Sequence, residues 1–286
     1  MLKRHRYGCI EAGGTKFVLG VFDENGKVIA RTVIPTTLPQ ETLNAAMEWF
    51  DLHAPFCGIG IASFGPCDIE KGIITNTPKR GWENTPIADI IRRRFLCPVG
   101  FDTDVGAAAQ AELIHGAGTG HSSVVYITVG TGIGGAYSNI NEQTKARTRP
   151  EMGHISVTRH PEDTDFDGIC PFHKDCLEGL ASGPAITERW GTSLSKMEYP
   201  EKAINVIGFY LGQFSVTLAA TLAPSRIIFG GGVMGTKELI GTIRASASQI
   251  NNGYLPTDFH QTIVRPGTGA DSGLIGAYLL AKAAAL

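Results

Sequence analysis

The apolar positions of the chain alternate between short buried runs and longer helical stretches. Residues 7–10 open a strand that breaks at Glu11-Ala12-Gly13-Gly14-Thr15-Lys16 and resumes over 17–22. Asp23-Glu24-Asn25-Gly26 is a hairpin turn leading into a strand over 28–33. Helical spacing covers 41–52, and 57–63 reads as a buried strand stopped by Phe64-Gly65-Pro66. Residues 86–95 predict a helix with Thr85 as N-cap and Pro86 in its first position. A short strand over 99–101 hands over to an Ala-rich helix, 104–115, that ends at Gly116. The break then recurs: strand 123–129, a glycine turn over 130–135, and a second strand from Ala136. A long helix over 203–222 leads to strand 227–229, a third glycine turn at Gly230-Gly231-Gly232, and a C-terminal helix over 272–286 with small residues on one face.

A strand, a Gly/Thr turn and a second strand thus occur twice. This predicts an α/β chain with two lobes of related architecture facing one cleft. The lobes are expected at 1–115 and 116–286, with the C-terminal helix packing back on the first.

Composition narrows the function classes. At 286 residues, with 43% hydrophobic and 18% charged positions and 36 glycines, the chain can bury a large core and is rich in tight turns. Its net charge of -2 leaves no electrostatic footprint for nucleic acid. The one basic run, Arg92-Arg93-Arg94, follows Ile87, Ile90 and Ile91 and reads as a solvated helix face. The apolar stretch 203–224 is interrupted by Gly208, Gln213, Ser215 and Thr217 and suits a core helix better than a membrane span. No signal peptide is expected, because the basic N-terminus lacks an apolar h-region. Cys9, Cys57, Cys67 and Cys97 are scattered singly, which points to a reducing cytoplasm.

The chemistry concentrates in four places. His154, Cys170, His173 and Cys176 make a first shell for tetrahedral zinc, with Cys-x2-His-x2-Cys spacing closed by His154 from upstream. Two of the glycine turns, with Thr15 and Thr131 as hydroxyl donors, suit phosphates, because glycine lets backbone N–H groups approach an anion. The third turn, continued by Val233 and Met234, offers an apolar surface for adenine. No turn is a Walker A loop, and Gly130-x-Gly132-x-Gly134 precedes a strand rather than a helix, which disfavours a dinucleotide fold. Finally, Asp102-Thr103-Asp104 lies where a strand meets a helix. One of the three serves as N-cap and at least one acid is spare. A carboxylate there is placed to take the proton of a hydroxyl attacking the γ-phosphorus.

Together these motifs resemble the ROK (repressor, open reading frame, kinase) family, and within it the bacterial zinc-containing fructokinases. The resemblance runs through IEAGGTKF, SFGPCD, TPKRGW, DTDVGAAAQAE, ITVGTGIGG, PEMGHI, CPFHKDCLEGLASGPA and IIFGGGVM, in family order. It implies an actin/hexokinase-like ATPase fold with a zinc-binding loop, and an ATP-dependent hexose kinase that converts fructose to fructose 6-phosphate. Asp104 matches the general base. Gly13, Gly14, Thr15 and Lys16 match one phosphate loop, and Gly130, Thr131 and Gly132 the other. Glu11 matches the acid that helps hold Mg2+, usually through water. Gly231, Gly232 and Met234 match the adenosine turn, with Pro184 bordering the nucleotide. Glu151 and Glu178 match groups that face the sugar, and His154 joins the sugar pocket to the structural zinc.

The chain departs from the family pattern in two places. Gly106 stands where an asparagine is common, and 137–149 is more polar than the segment usual before the glutamate. The resemblance also implies a homodimer without nucleic-acid or membrane partners. Mannose, glucose or an amino sugar are alternative acceptors. A sugar-sensing repressor is disfavoured, because only ten residues precede Glu11. A zinc-stabilised binding protein without catalysis is disfavoured by Asp104 and the paired phosphate loops.

Overall fold

A computed structural model describes residues 5–77, 79–141 and 149–286. Most of the polar stretch noted before Glu151, residues 142–148, lies outside them. The chain forms two α/β units, the first from Met1–Ala111, Asn141–Arg149 and Asp271–Leu286, the second from Glu112–Ile140 and Pro150–Ala270. The first boundary thus falls after Ala111 rather than after residue 115, and the segment from Asp271 counts with the first unit.

In the first unit the elements are β1 (Arg6–Ala12), β2 (Lys16–Asp23), β3 (Val28–Pro35), α1 (Pro39–Asp51), β4 (Gly58–Ser63), the short pair β5 (Cys67–Asp68) and β6 (Ile73–Ile74), α2 (Ile87–Phe95) and β7 (Val99–Thr103). Helix α3 (Asp104–His115) follows and leads into the second unit. The sheet order is β3-β2-β1-β4-β7, with β1 antiparallel to β2 and parallel to β4. On one face Ile10, Phe17, Leu19, Ile59 and Ile61 pack with Leu43, Phe50, Ile87 and Ile91. Each such side chain contributes about 1.5–3 kcal/mol on full burial.

The second unit contains β8 (Ser123–Val129), β9 (Ile133–Asn139), α4 (Leu177–Ala181), α5 (Gly183–Trp190), α6 (Glu201–Leu222), β10 (Arg226–Gly230), α7 (Leu239–Asn251), α8 (Phe259–Thr262) and β11 (Ile263–Val264). Its sheet order is β11-β10-β8-β9. The hairpin β8–β9 carries a parallel neighbour, β10, on the far side of β8, as the hairpin β1–β2 carries β4 beside β1. The repeated strand-turn-strand pattern is therefore a repeated topology. Helix α6 is long and apolar enough to cross a membrane, but most of that stretch is buried in the core of this unit.

The chain ends in α9 (Ser272–Ala284), which packs on the other face of the first sheet through Leu274, Ala277, Tyr278 and Leu280. Glycines in β4 and β7 make this seat. A Cβ at Gly60 would lie 1.8 Å from the Ala277 carbonyl oxygen, and one at Gly100 would lie 2.3 Å from that of Leu280.

Two local expectations are corrected. Thr85 does not cap α2; its backbone pairs with Ile74, and Pro86 occupies the N-cap position without a side-chain bond. The second glycine turn is also shorter than its run of glycines. Ile133, Gly134 and Gly135 pair with Val129, Thr128 and Ile127, so the turn proper is 130–132. Glycine is tolerated in that strand because Met152 covers it, its Sδ 2.8 Å from where a Gly135 Cβ would stand.

Candidate functional site

In the first unit, the glycine turn joins β1 to β2. Gly13 N–H donates to the Lys16 carbonyl at 3.0 Å, Thr36 N–H to the Thr15 carbonyl at 2.9 Å, and the Thr36 hydroxyl to the Gly13 carbonyl at 2.7 Å. Gly14, Thr15 and Lys16 are exposed at its tip. Glu11 is the next-to-last residue of β1, against the first turn of α9, where a Cβ at Gly273 would lie 2.6 Å from Glu11 Oε1. Burial pushes its carboxyl up to about 7, with Asp104 and Asp271 adding to the shift and Arg31 and Lys16 opposing it. Such a carboxylate, crowded by other acids, is a place where a cation relieves repulsion.

At the start of α3 the cap is Thr103, whose hydroxyl accepts the Gly106 N–H at 3.1 Å. Both acids are thereby released from capping. Asp104 Oδ1 accepts its neighbour's N–H, that of Val105, at 2.8 Å. Asp102 is buried and pairs with Arg149, which donates from Nε to Oδ1 at 3.1 Å and from Nη2 to Oδ2 at 2.7 Å. A Cβ at position 106 would stand 2.5 Å from Asp102 Oδ1 and 2.8 Å from Arg149 Nε. The space of a side chain at 106 is thus taken by an ion pair. The two departures noted in the sequence, Gly106 and the polar approach to Glu151, meet there.

In the second unit, His154, Cys170, His173 and Cys176 converge. Their ligand atoms all lie within 4.8 Å of one another. His154 Nδ1 is 3.6 Å from both sulfurs, and His173 Nδ1 is 3.7 Å from Cys170 Sγ. Zn–S of about 2.3 Å and Zn–N of about 2.0 Å at a tetrahedral angle imply S···N of about 3.5 Å, so the donor set fits zinc. Local turns build it. Cys170 and Lys174 exchange backbone hydrogen bonds at 3.1 and 2.9 Å, and Cys176 bridges to Ser156 before α4 begins. Burial pushes the Cys176 thiol up to about 11, a resistance that a cation binding the thiolate would overcome.

Glu178 lies in the first turn of α4. Its Oε1 is 3.7 Å from His154 Nε2, and its Oε2 accepts the Ile133 N–H at 2.8 Å. Glu151 lies just before the short helix Met152–His154. Partial burial of its carboxyl raises its pKa; His154 opposes the shift and Glu178 reinforces it.

The second glycine turn borders a pocket of about 370 Å3 within this unit, lined by Gly130, Thr131, Pro184, Gly232, Val233 and Ser195 among others. Gly183 N–H donates to the Gly130 carbonyl at 2.7 Å, and Ser182 caps α5. Of the residues expected around a nucleotide here, Gly132, Gly231 and Met234 are not in the lining. Met234 is buried, and Gly231 takes φ 91° where a Cβ would stand 2.5 Å from the Val129 carbonyl oxygen. Thr187, Ser193 and Ser195 line the pocket without having been singled out. Only the ASGPA segment announced this wall; the serines follow it with no periodicity of their own.

The ROK family model matches residues 7–284. A fructokinase of Zymomonas mobilis is 46% identical over 291 residues, covering 97% of this chain and 97% of its own. One of Pediococcus pentosaceus is 40% identical over 285 residues, covering 97% and 98%. Among solved structures, a ROK family glucokinase from Streptomyces griseus in complex with glucose and AMPPNP is 25% identical, with a TM-score of 0.81 over 97% of this chain and 99% of that one.

Proposed function

The chain belongs to the ROK family and has its actin/hexokinase-like fold, and from that premise we infer that it is an ATP-dependent hexose kinase acting first on fructose, to give fructose 6-phosphate. The observation that carries the reading is the 46% identity to a fructokinase along the whole chain. The geometry supports the nucleotide half: a glycine turn, a helix N-terminus at Gly183 and an apolar wall at Val233 enclose one pocket. Backbone N–H groups of such a turn bind phosphate oxygens, and the wall takes the base.

In the proposed reaction Asp104 accepts the proton of the sugar hydroxyl as the oxygen attacks the γ-phosphorus and ADP leaves. Gly13, Gly14, Thr15 and Lys16, with Gly130, Thr131 and Gly132, hold phosphate groups. Pro184, Gly232 and Val233 border the adenosine, with Gly231 and Met234 shaping the turn behind them. Glu151, His154 and Glu178 face sugar hydroxyls. Glu11 would hold Mg2+ through water; bound there, the ion supplies charge to the phosphates. Zinc on His154, Cys170, His173 and Cys176 would be structural, since protein fills all four positions. We place the enzyme in the cytoplasm as a homodimer, with hexose and ATP as its substrates and no nucleic-acid or membrane partner. Scattered thiols support the reducing compartment, and the net charge of -2 supports the lack of a nucleic-acid partner.

The test is a coupled ADP-release assay over fructose, mannose, glucose and amino sugars, run on wild type and on Asp104→Asn. Fructose should give the highest kcat/KM, and the variant should lose about 10^3-fold or more in kcat while still binding ADP. A higher kcat/KM on another hexose would reassign the substrate. Near-normal turnover by the variant would remove Asp104 from the mechanism.

A further inference from the structure

The phosphate turn of the second unit and Ile133, the first residue beyond it, are held at three backbone atoms by the zinc loop and the start of α5. Glu178 Oε2 accepts the Ile133 N–H at 2.8 Å. Gly153, adjacent to His154, presses on the same residue from the other side: a Cβ there would stand 1.9 Å from the Ile133 carbonyl oxygen. Gly183 N–H donates to the Gly130 carbonyl at 2.7 Å. Every one of these grips comes from chain next to a metal ligand or just beyond it. Gly153 precedes His154, Glu178 follows Cys176 by two residues in α4, and α5 starts directly after α4.

We propose that Glu178 is a positioning residue that locks the second phosphate turn to the zinc loop, so that metal and nucleotide bind cooperatively. The proposal rests on the kinase reading of that turn. Its physical basis is the turn's composition. Gly130 and Gly132 give the backbone freedom to approach phosphate, and the same freedom leaves it unordered unless something outside holds it. N–H donors stabilise an anion best when they are already aimed before it arrives.

Glu178 is forked to do this. One oxygen holds the turn, and the other lies 3.7 Å from Nε2 of His154, whose Nδ1 faces the two sulfurs. A carboxylate behind a metal-binding imidazole fixes the ring and raises its basicity. The turn is shaped around the fork, because a Cβ at Gly132 would meet Glu178 Oε2 at 2.6 Å. Gly132 thus makes room for this carboxylate as well as for phosphate. Zinc in this view is more than a scaffold for the sugar side; it sets the aim of the N–H groups that meet ATP.

Thermodynamic reciprocity supplies the test, read by affinity and not by turnover. If zinc raises the affinity for ADP by some factor, ADP must raise the affinity for zinc by the same factor. ADP is titrated without sugar into zinc-loaded and chelator-stripped protein. Zinc affinity is measured by chelator competition with and without saturating ADP. We expect a factor of about tenfold in both directions, within the usual range of coupling between sites.

Glu178→Ala should abolish the coupling and release zinc faster. Glu178→Gln keeps an oxygen for Ile133 N–H but offers an amide to His154; it should retain ADP affinity while holding zinc less well. Gly132→Ala leaves Glu178 and all four ligands in the sequence, yet should also speed zinc release by displacing the carboxylate. It therefore carries the test if the Glu178 variants fail to fold. A coupling factor of one in wild type would overturn the proposal, as would wild-type ADP affinity in Glu178→Ala or unchanged zinc release in Gly132→Ala. Wild-type protein that binds no ADP at all would overturn the kinase reading itself, an outcome distinct from binding without coupling.

Discussion

Single residues here do their work through the space they leave as much as through their own atoms. Gly106 is the sharpest case. The sequence marks it as a lost asparagine; the structure puts the Asp102–Arg149 pair in that space. Arg149→Ala strands a buried carboxylate and should cost about 3–5 kcal/mol. Gly106→Ala forces a methyl against both partners and should cost about 1–3 kcal/mol. Urea melts of the singles and the double should show less than the sum, since removing Arg149 vacates part of the space the methyl needs. Strict additivity would mean the two positions do not compete. The sequence could not reveal this pairing. Arg149 and Asp102 are 47 residues apart, and neither lies in a pattern with a period. The position of Asp104 at the junction of β7 and α3, by contrast, was legible, because a strand-to-helix junction is a local feature and its acids are countable.

At the scale of elements, the secondary structure was legible wherever one face is apolar and a turn residue ends the run, as for α1, α3, α6 and both hairpins. It misjudged ends that depend on partners: Pro86 rather than Thr85 at the start of α2, and glycines recruited into β9 by pairing with β8. One element-level device escaped notice altogether. Glu112, near the end of α3 and fully buried, gathers N–H donors from Ala117 and Gly267 on one oxygen and the N–H and hydroxyl of Thr268 on the other. Burial works to raise its pKa, but these four donors outweigh it and hold the carboxyl below its usual value of 4.5. A depressed carboxylate stabilises the fold at pH above its unfolded value, and the contribution is lost as pH falls through the folded one. Glu112→Gln presents an amide to two donors and should cost about 2–3 kcal/mol at neutral pH. Thermal melts of the two proteins should differ by a constant amount down to about pH 5 and converge at more acid pH. A gap that persists undiminished in acid would rule out the carboxylate as its source.

For the whole molecule, the proposed zinc loop is where stability and the proposed function are expected to meet. Cys170 and Cys176 are buried with His154 partly covered, so emptying the proposed site leaves thiols and imidazoles packed without the ion that justifies their approach. Chelation, or Cys176→Ser, should lower Tm by about 5 °C or more. Metal analysis of carefully purified protein should find one zinc per chain, and protein that melts alike with and without chelator would remove the structural role. The sequence by itself determined the α/β class, the doubled strand-turn-strand plan, the four candidate metal ligands and the candidate base. All of these rest on short-range chemistry: side-chain period, turn residues, and ligand spacing along one loop. Only the tertiary structure decided that glycines of β4 and β7 make the seat of the last helix, that Arg149 fills the place beside Gly106, and that Glu178 reaches the backbone at Ile133. Those outcomes depend on which backbone comes within van der Waals reach of which other, a property of packing that no local pattern encodes.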